Sequence, residues 1–145
     1  MADQGQRILL AEDDRFLRKA AETTLKRHGF EVVTAIDGED ALREIQKEAP
    51  DLILLDLIMP KMQGFEVLQR VKADPVTAGI PVIILSNLGQ DRDVERALEA
   101  GAAAYFIKSN LSLDDLVKQV RQTLGLSPAP SPAAAAPRVG QWAKR

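Results

Sequence analysis

Five short runs rich in Ile, Leu and Val constrain this chain more than any other feature: residues 8–11, 32–35, 52–55, 82–85 and 105–107. Each is about strand length and apolar on both sides. Such strands belong in a sheet covered on both faces, which points to parallel pairing. Helical stripes alternate with the runs. Phe16, Leu17, Ala20, Ala21, Thr24 and Leu25 form the first, ended by Gly29, and Ala41, Leu42 and Ile45 the second. Phe65, Leu68 and Val71 form the third, and Val94, Ala97 and Leu98 the fourth, closed by Gly101. Leu116, Val117, Val120 and Leu124 form the fifth, with Ser112-Leu113-Asp114-Asp115 before it as a capping box and Gly125 after it. Five strand–helix repeats predict an α/β fold with a parallel sheet, helices on both faces and right-handed crossovers. Spacing alone leaves the strand order open.

The 145 residues suffice for one ordinary domain and not for two. There is no cysteine, so disulfides and thiolate metal sites are excluded, and the single histidine, His28, cannot build a histidine metal site. No apolar stretch approaches the ~20 residues of a membrane span, and residues 1–7 lack the layout of a signal peptide. A cytoplasmic protein is the expectation. At residue 127 the composition changes to Ser-Pro-Ala-Pro-Ser-Pro-Ala-Ala-Ala-Ala-Pro, which blocks helix and sheet. The expected organisation is an N-terminal extension at 1–6, a folded domain at 7–126, and a flexible Pro/Ala-rich tail or linker at 127–145. Trp142, the only tryptophan, admits a second reading of that tail as a short docking peptide. The other 126 residues carry 16 of the 19 basic side chains and all 21 acidic ones, a net charge of −5. An acidic folded part argues against direct nucleic-acid binding.

Polar residues fall where four of the runs end: Glu12-Asp13-Asp14 after the first, Asp56 after the third, Ser86 after the fourth and Lys108 after the fifth. In a parallel sheet the carboxyl ends of all strands share one edge, where open α/β folds place their ligands. Singly these residues say little. Asp14 reads as the N-cap of a helix over 15–28, Asp56 could cap a turn, and Lys108 could be a solvated strand end. Together they describe a site. Carboxylates ~4 Å apart repel by about 4 kcal/mol at an effective dielectric of 20, so the cluster calls for a cation. With oxygen donors only, a hard divalent ion such as Mg²⁺ fits best. Carboxylates, Mg²⁺, a lysine and a hydroxyl suit a phosphoryl group, with one carboxylate left free to attack.

The runs Ile8-Leu-Leu-Ala-Glu-Asp-Asp14, Leu52-Ile-Leu-Leu-Asp-Leu-Ile-Met-Pro60 and Gly64-Phe65-Glu66, with Ser86 and Lys108, resemble the receiver domain of two-component response regulators over roughly residues 7–125. The resemblance implies a flavodoxin-like (βα)5 three-layer sandwich with a five-stranded sheet of order 2-1-3-4-5. It implies that Asp56 accepts a phosphoryl group from the phosphohistidine of a sensor histidine kinase or phosphotransfer protein. By matched position, Asp13 and Asp56 bind Mg²⁺, Ile58 offers its backbone carbonyl, and Glu12 acts through water. Ser86 takes the switch hydroxyl position, Lys108 that of the family's lysine, and Tyr105 that of the switch aromatic. Ile58 and Leu88 flank the path of an attacking water, and both are apolar, which implies a long-lived phosphorylated state. The chain departs from the family at Ser109, where proline after a cis peptide is usual; a cis bond without proline costs ~2.5–4 kcal/mol, so a trans Lys108–Ser109 bond is expected.

Other classes fit less well. An aspartyl-nucleophile hydrolase wants a second acid two residues after the nucleophile, where this chain has Ile58. A flavodoxin wants a Ser/Thr/Gly phosphate loop where this chain has Glu12-Asp13-Asp14, and no Gly-x-x-x-x-Gly-Lys loop is present. A pseudo-receiver would lack a site residue, and none is missing. The downstream partner, a homodimer formed on phosphorylation, and the choice between a stand-alone protein and a piece of a longer regulator stay open.

Overall fold

In the computed structural model, the described residues are 5–59, 61–87 and 91–126. Five strands alternate with five helices in chain order: β1 (Arg7–Ala11), α1 (Arg15–Arg27), β2 (Glu31–Ala35), α2 (Gly38–Lys47), β3 (Leu52–Asp56), α3 (Gly64–Ala73), β4 (Val82–Ser86), α4 (Asp91–Glu99), β5 (Ala104–Ile107) and α5 (Leu113–Thr123). All pairings are parallel and the sheet order is β2-β1-β3-β4-β5. This is the flavodoxin-like arrangement that the resemblance implied.

Alternation along the strands divides the interior into two cores. Leu9, Ala11, Ile53, Leu55, Val82, Ile84 and Tyr105 face the side covered by α2, α3 and α4. Ile8, Leu10, Leu52, Leu54, Ile83, Leu85 and Phe106 face the side covered by α1 and α5. Successive residues of a strand point to opposite faces, so both sets must be apolar to be covered. That is why the runs carry no polar alternation.

Helix boundaries follow local chemistry. The Asp14 carboxylate caps α1, accepting from the amides of Phe16 and Leu17 at 2.9 and 3.2 Å. Ser112 and Asp115 form the expected capping box on α5. Gly29, at φ 95°, ends α1 in the left-handed region that favours glycine. One expectation fails here. Phe16 and Ala20 are exposed, Phe16 at 87%. The buried line of α1 runs through Ala21 and Leu25, and at 100° per residue Phe16 lies about 180° round the helix from Leu25.

The order reverses beside β1: the chain moves from β1 to β2 on one side and to β3 on the other. Crossovers leaving in opposite directions open a crevice above the carboxyl ends of β1 and β3. Among the described residues, no helix is long and apolar enough to cross a membrane. The expectations for residues 1–4, for Leu88 and for the segment 127–145 with Trp142 lie outside the described residues.

Candidate functional site

Register brings the polar residues together. Ala11 pairs with Leu55, so Glu12 and Asp56, each the next residue, stand side by side on adjacent strands. Asp56 pairs with Leu85 and Ser86 with Ile107, which sets Ser86 and Lys108 on the same edge. Asp56 and Ser86 are the last residues of their strands, and Lys108 opens a single 3-10 turn over Lys108–Asn110. No peptide among the described residues is cis, and Lys108–Ser109 is trans as expected.

Three carboxylates converge: one oxygen each from Glu12, Asp13 and Asp56 lie within 4.8 Å of one another. Asp56 and Glu12 are buried, at 4% and 1% exposure, while Asp13 is open to solvent. The Lys108 ammonium joins the two buried acids, 3.0 Å from Asp56 Oδ2 and 2.8 Å from Glu12 Oε1. The contact with Asp56 is a hydrogen bond. The shorter contact with Glu12 is a close ion pair, and among the described residues Glu12 Oε1 has no hydrogen-bond partner that meets the geometric limits.

These contacts move the titrations. Burial raises the Glu12 pKa and the Asp56 charge adds to the rise, against the Lys108 ammonium and the Asp14 amide, which lower it. Burial pulls Lys108 down, but the two carboxylates outweigh it and the net direction is up. The lysine is therefore held as a cation between two anions.

The backbone around the cluster is anchored at several points. Asp56 Oδ1 accepts the Ile58 amide at 3.2 Å. Glu12 Oε2 accepts the Asp14 amide at 3.0 Å, and the Glu12 amide donates to the Ala35 carbonyl at 3.0 Å. Arg18 Nη1 donates to the Glu12 carbonyl at 2.9 Å and lies 3.4 Å from that of Asp13. Gly64 opens α3 directly against the site: its amide donates to the Leu57 carbonyl at 2.9 Å, and a Cβ there would overlap the carbonyl of Asp56. Gly38 does the same at α2, where a Cβ would overlap the Met62 carbonyl.

Ser86 and Tyr105 are both fully buried, and their side chains are hydrogen-bonded to each other. Burial raises the Tyr105 pKa and the Ser86 bond opposes the rise. The ring is thus turned inward. Ile58 is 53% exposed.

Sequence reasoning overlooked Arg18. Its signal was available: α1 has no acid in its first turn, yet Arg15 and Arg18 stand near the positive end of the helix dipole, where cations are disfavoured.

Comparison with known proteins bears on the family and the fold. Residues 8–121 match the family profile of the response regulator receiver domain. The chain is 41% identical over 114 residues to the gliding motility regulatory protein of Myxococcus xanthus, covering 79% of this chain and 15% of that one. The chain spans about half or less of the length of the curated relatives it matches. Among solved structures, the receiver domain of the Francisella response regulator 1452 superposes with a TM-score of 0.77 at 28% identity, over 83% of this chain and 98% of that one. The CheX–CheY–BeF3–Mg complex from Borrelia burgdorferi superposes with a TM-score of 0.74 at 28% identity, covering 81% of this chain and 87% of that one.

Proposed function

The chain belongs to the response regulator receiver domain family of two-component signalling, and from that premise we propose that Asp56 accepts a phosphoryl group from a phosphohistidine on a sensor histidine kinase or phosphotransfer protein. One observation carries the reading: a buried carboxylate stands in the β1/β3 crevice, bonded to Lys108 and within reach of two further acids. An Asp56 oxygen attacks phosphorus, the P–N bond breaks, and the imidazole leaves with its electron pair. The product is an acyl phosphate on Asp56. Lys108 supplies fixed positive charge to the oxygens of the transferring group. We read the chain's own chemistry as limited to gaining and losing this phosphate, on a signalling domain at 7–126 in the cytoplasm.

The residues suit Mg²⁺. The donors are all oxygen, three carboxylates face one ammonium, and Glu12 Oε1 is a buried acceptor without a hydrogen bond. Asp13, Asp56 and the Ile58 carbonyl would hold the ion, with Glu12 acting through water. Bound there, it would neutralise the charge that otherwise keeps an anionic phosphoryl group out. The Borrelia burgdorferi neighbour, solved with Mg and BeF3, supports both the metal and the phosphoryl reading. Ser86 would turn its hydroxyl to the phosphoryl oxygens while Tyr105, already inward, fills the space behind it.

The test is labelling with acetyl phosphate and Mg²⁺, followed by mass spectrometry of the hydroxylamine-sensitive adduct. Asp56→Asn is expected to abolish the adduct. Full labelling of that variant overturns the assignment.

A further inference from the structure

Residues Glu12, Asp13 and Asp14 put three acids in succession at the end of β1, yet a cation helps fix their backbone. The Arg18 guanidinium takes the Glu12 carbonyl at 2.9 Å and approaches that of Asp13 at 3.4 Å. Its own amide closes the first turn of α1 on the Asp14 carbonyl at 2.9 Å. Among the described residues no carboxylate lies within ion-pair distance of Arg18, so its guanidinium is engaged through these carbonyl contacts. Around the same three residues, the amide of 12 is held by Ala35 and the amide of 14 by Glu12. With the backbone so engaged, the Asp13 side chain is exposed, and one of its oxygens lies within 4.8 Å of those of Glu12 and Asp56.

We propose that Arg18 is a positioning residue for the metal site: by pinning the carbonyls of Glu12 and Asp13 toward α1, it presents the Asp13 carboxylate to the cation. The proposal rests on the Mg²⁺ reading above. Two effects of Arg18 oppose each other. Its charge repels a divalent ion and weakens binding, whereas its donors order the loop and strengthen binding. Groups that orient metal ligands are typically worth 10–100-fold in affinity. Nothing in the geometry brings Arg18 to Asp56 itself, so it should matter for holding the ion and not for transfer once the ion is held.

The sign of one change decides. Titrate the full chain with Mg²⁺ and follow the backbone amide shifts of Ile58 and Gly64, in the parent, Arg18→Met and Arg18→Lys. Arg18→Met is expected to bind roughly tenfold more weakly. Arg18→Lys keeps the charge, reaches one carbonyl, and is expected to fall between the two. Acetyl phosphate labelling of both variants should return to within about twofold of the parent rate at saturating Mg²⁺, a loss in apparent affinity and not in turnover. If Arg18→Met binds Mg²⁺ as tightly as the parent, or more tightly, the positioning role is overturned. Should Arg18→Met not fold, parent-like affinity in Arg18→Lys overturns it equally. A parent that shows no saturable Mg²⁺ shift sinks the metal reading itself, a different failure and visible before any variant is made.

Discussion

At the scale of single residues, Lys108 holds the site together before any phosphate arrives. It sits between the carboxylates of Glu12 and Asp56, with 15% of its side chain exposed. Removing it leaves Glu12 buried without a counter-charge, and breaking a buried pair in this way costs about 3 kcal/mol or more when the orphan stays charged. Glu12 has an escape, because it can take up a proton. Its folded pKa is already raised, so its contribution to stability is fully present below the unfolded value and is lost as pH rises through the folded one. Lys108 is also raised, so its contribution persists at neutral pH and is lost only in the alkaline range. Lys108→Met is therefore expected to melt close to the parent near pH 4.5 and progressively below it toward pH 7.5. Melting curves across that range check this, and a pH-independent gap would remove Glu12 from the account. These residues were legible because each follows or ends an apolar run. Arg18 was legible only as a charge out of place at the start of α1, because nothing in the sequence says that it reaches the backbone carbonyls of Glu12 and Asp13. Phe16 was misread for a related reason: next to Leu17 it completes an apolar pair in the sequence, although it stands on the face of α1 opposite Leu25.

At the scale of elements, two helices begin at glycines chosen for space, and α3 begins against the site. Gly64 lets the first turn of α3 close on the carbonyl of Asp56, and Gly38 lets α2 close on that of Met62. An added methyl at Gly64 must push α3 away from the acceptor strand, and overpacking of this kind costs about 1–3 kcal/mol. Gly79, in the turn before β4, is the control: a methyl group added there would meet nothing within 4 Å, and its φ is not positive. Gly79→Ala is expected to be neutral or to stabilise by up to about 1 kcal/mol through the unfolded chain. Urea unfolding of Gly64→Ala and Gly79→Ala measures the difference, and equal midpoints would show that α3 can move off Asp56 freely. Both strand–helix order and parallel pairing were readable, since they rest on hydrophobic period and length. Strand order came only through resemblance, because every run is apolar on both sides and offers no edge marked by polarity. The close approaches at Gly38 and Gly64 were hidden for another reason, being contacts made between elements and not within them.

At the scale of the whole molecule, the described residues fill two cores, one on each face of the sheet. Leu124 and Leu126 already pack against the cluster under α1 and α5. A chain ending at Leu126 is therefore expected to melt within about 2 °C of the full one and to label equally, whereas removing residues 124–126 as well should lower the midpoint. Calorimetry of the two truncations tests this, and a large drop in the longer one would mean that the Trp142 segment packs on the domain. Charge gives the last prediction. The acid cluster stores repulsion that folding brings together, and a ligand that binds only the folded chain returns stability as RT ln(1 + [L]/Kd). Mg²⁺ at a hundred times its dissociation constant is thus worth about 2.7 kcal/mol. Asp13 is the exposed member, so replacing it disturbs packing least. Asp13→Asn is expected to melt above the parent without metal, because one of the three converging charges is gone. On adding Mg²⁺ the parent should rise past the variant, which should barely respond. The crossing of the two melting curves is the signature, because loss of packing alone would lower the variant at every Mg²⁺ concentration. A variant that gains as much from Mg²⁺ as the parent would show that the ion is held without Asp13.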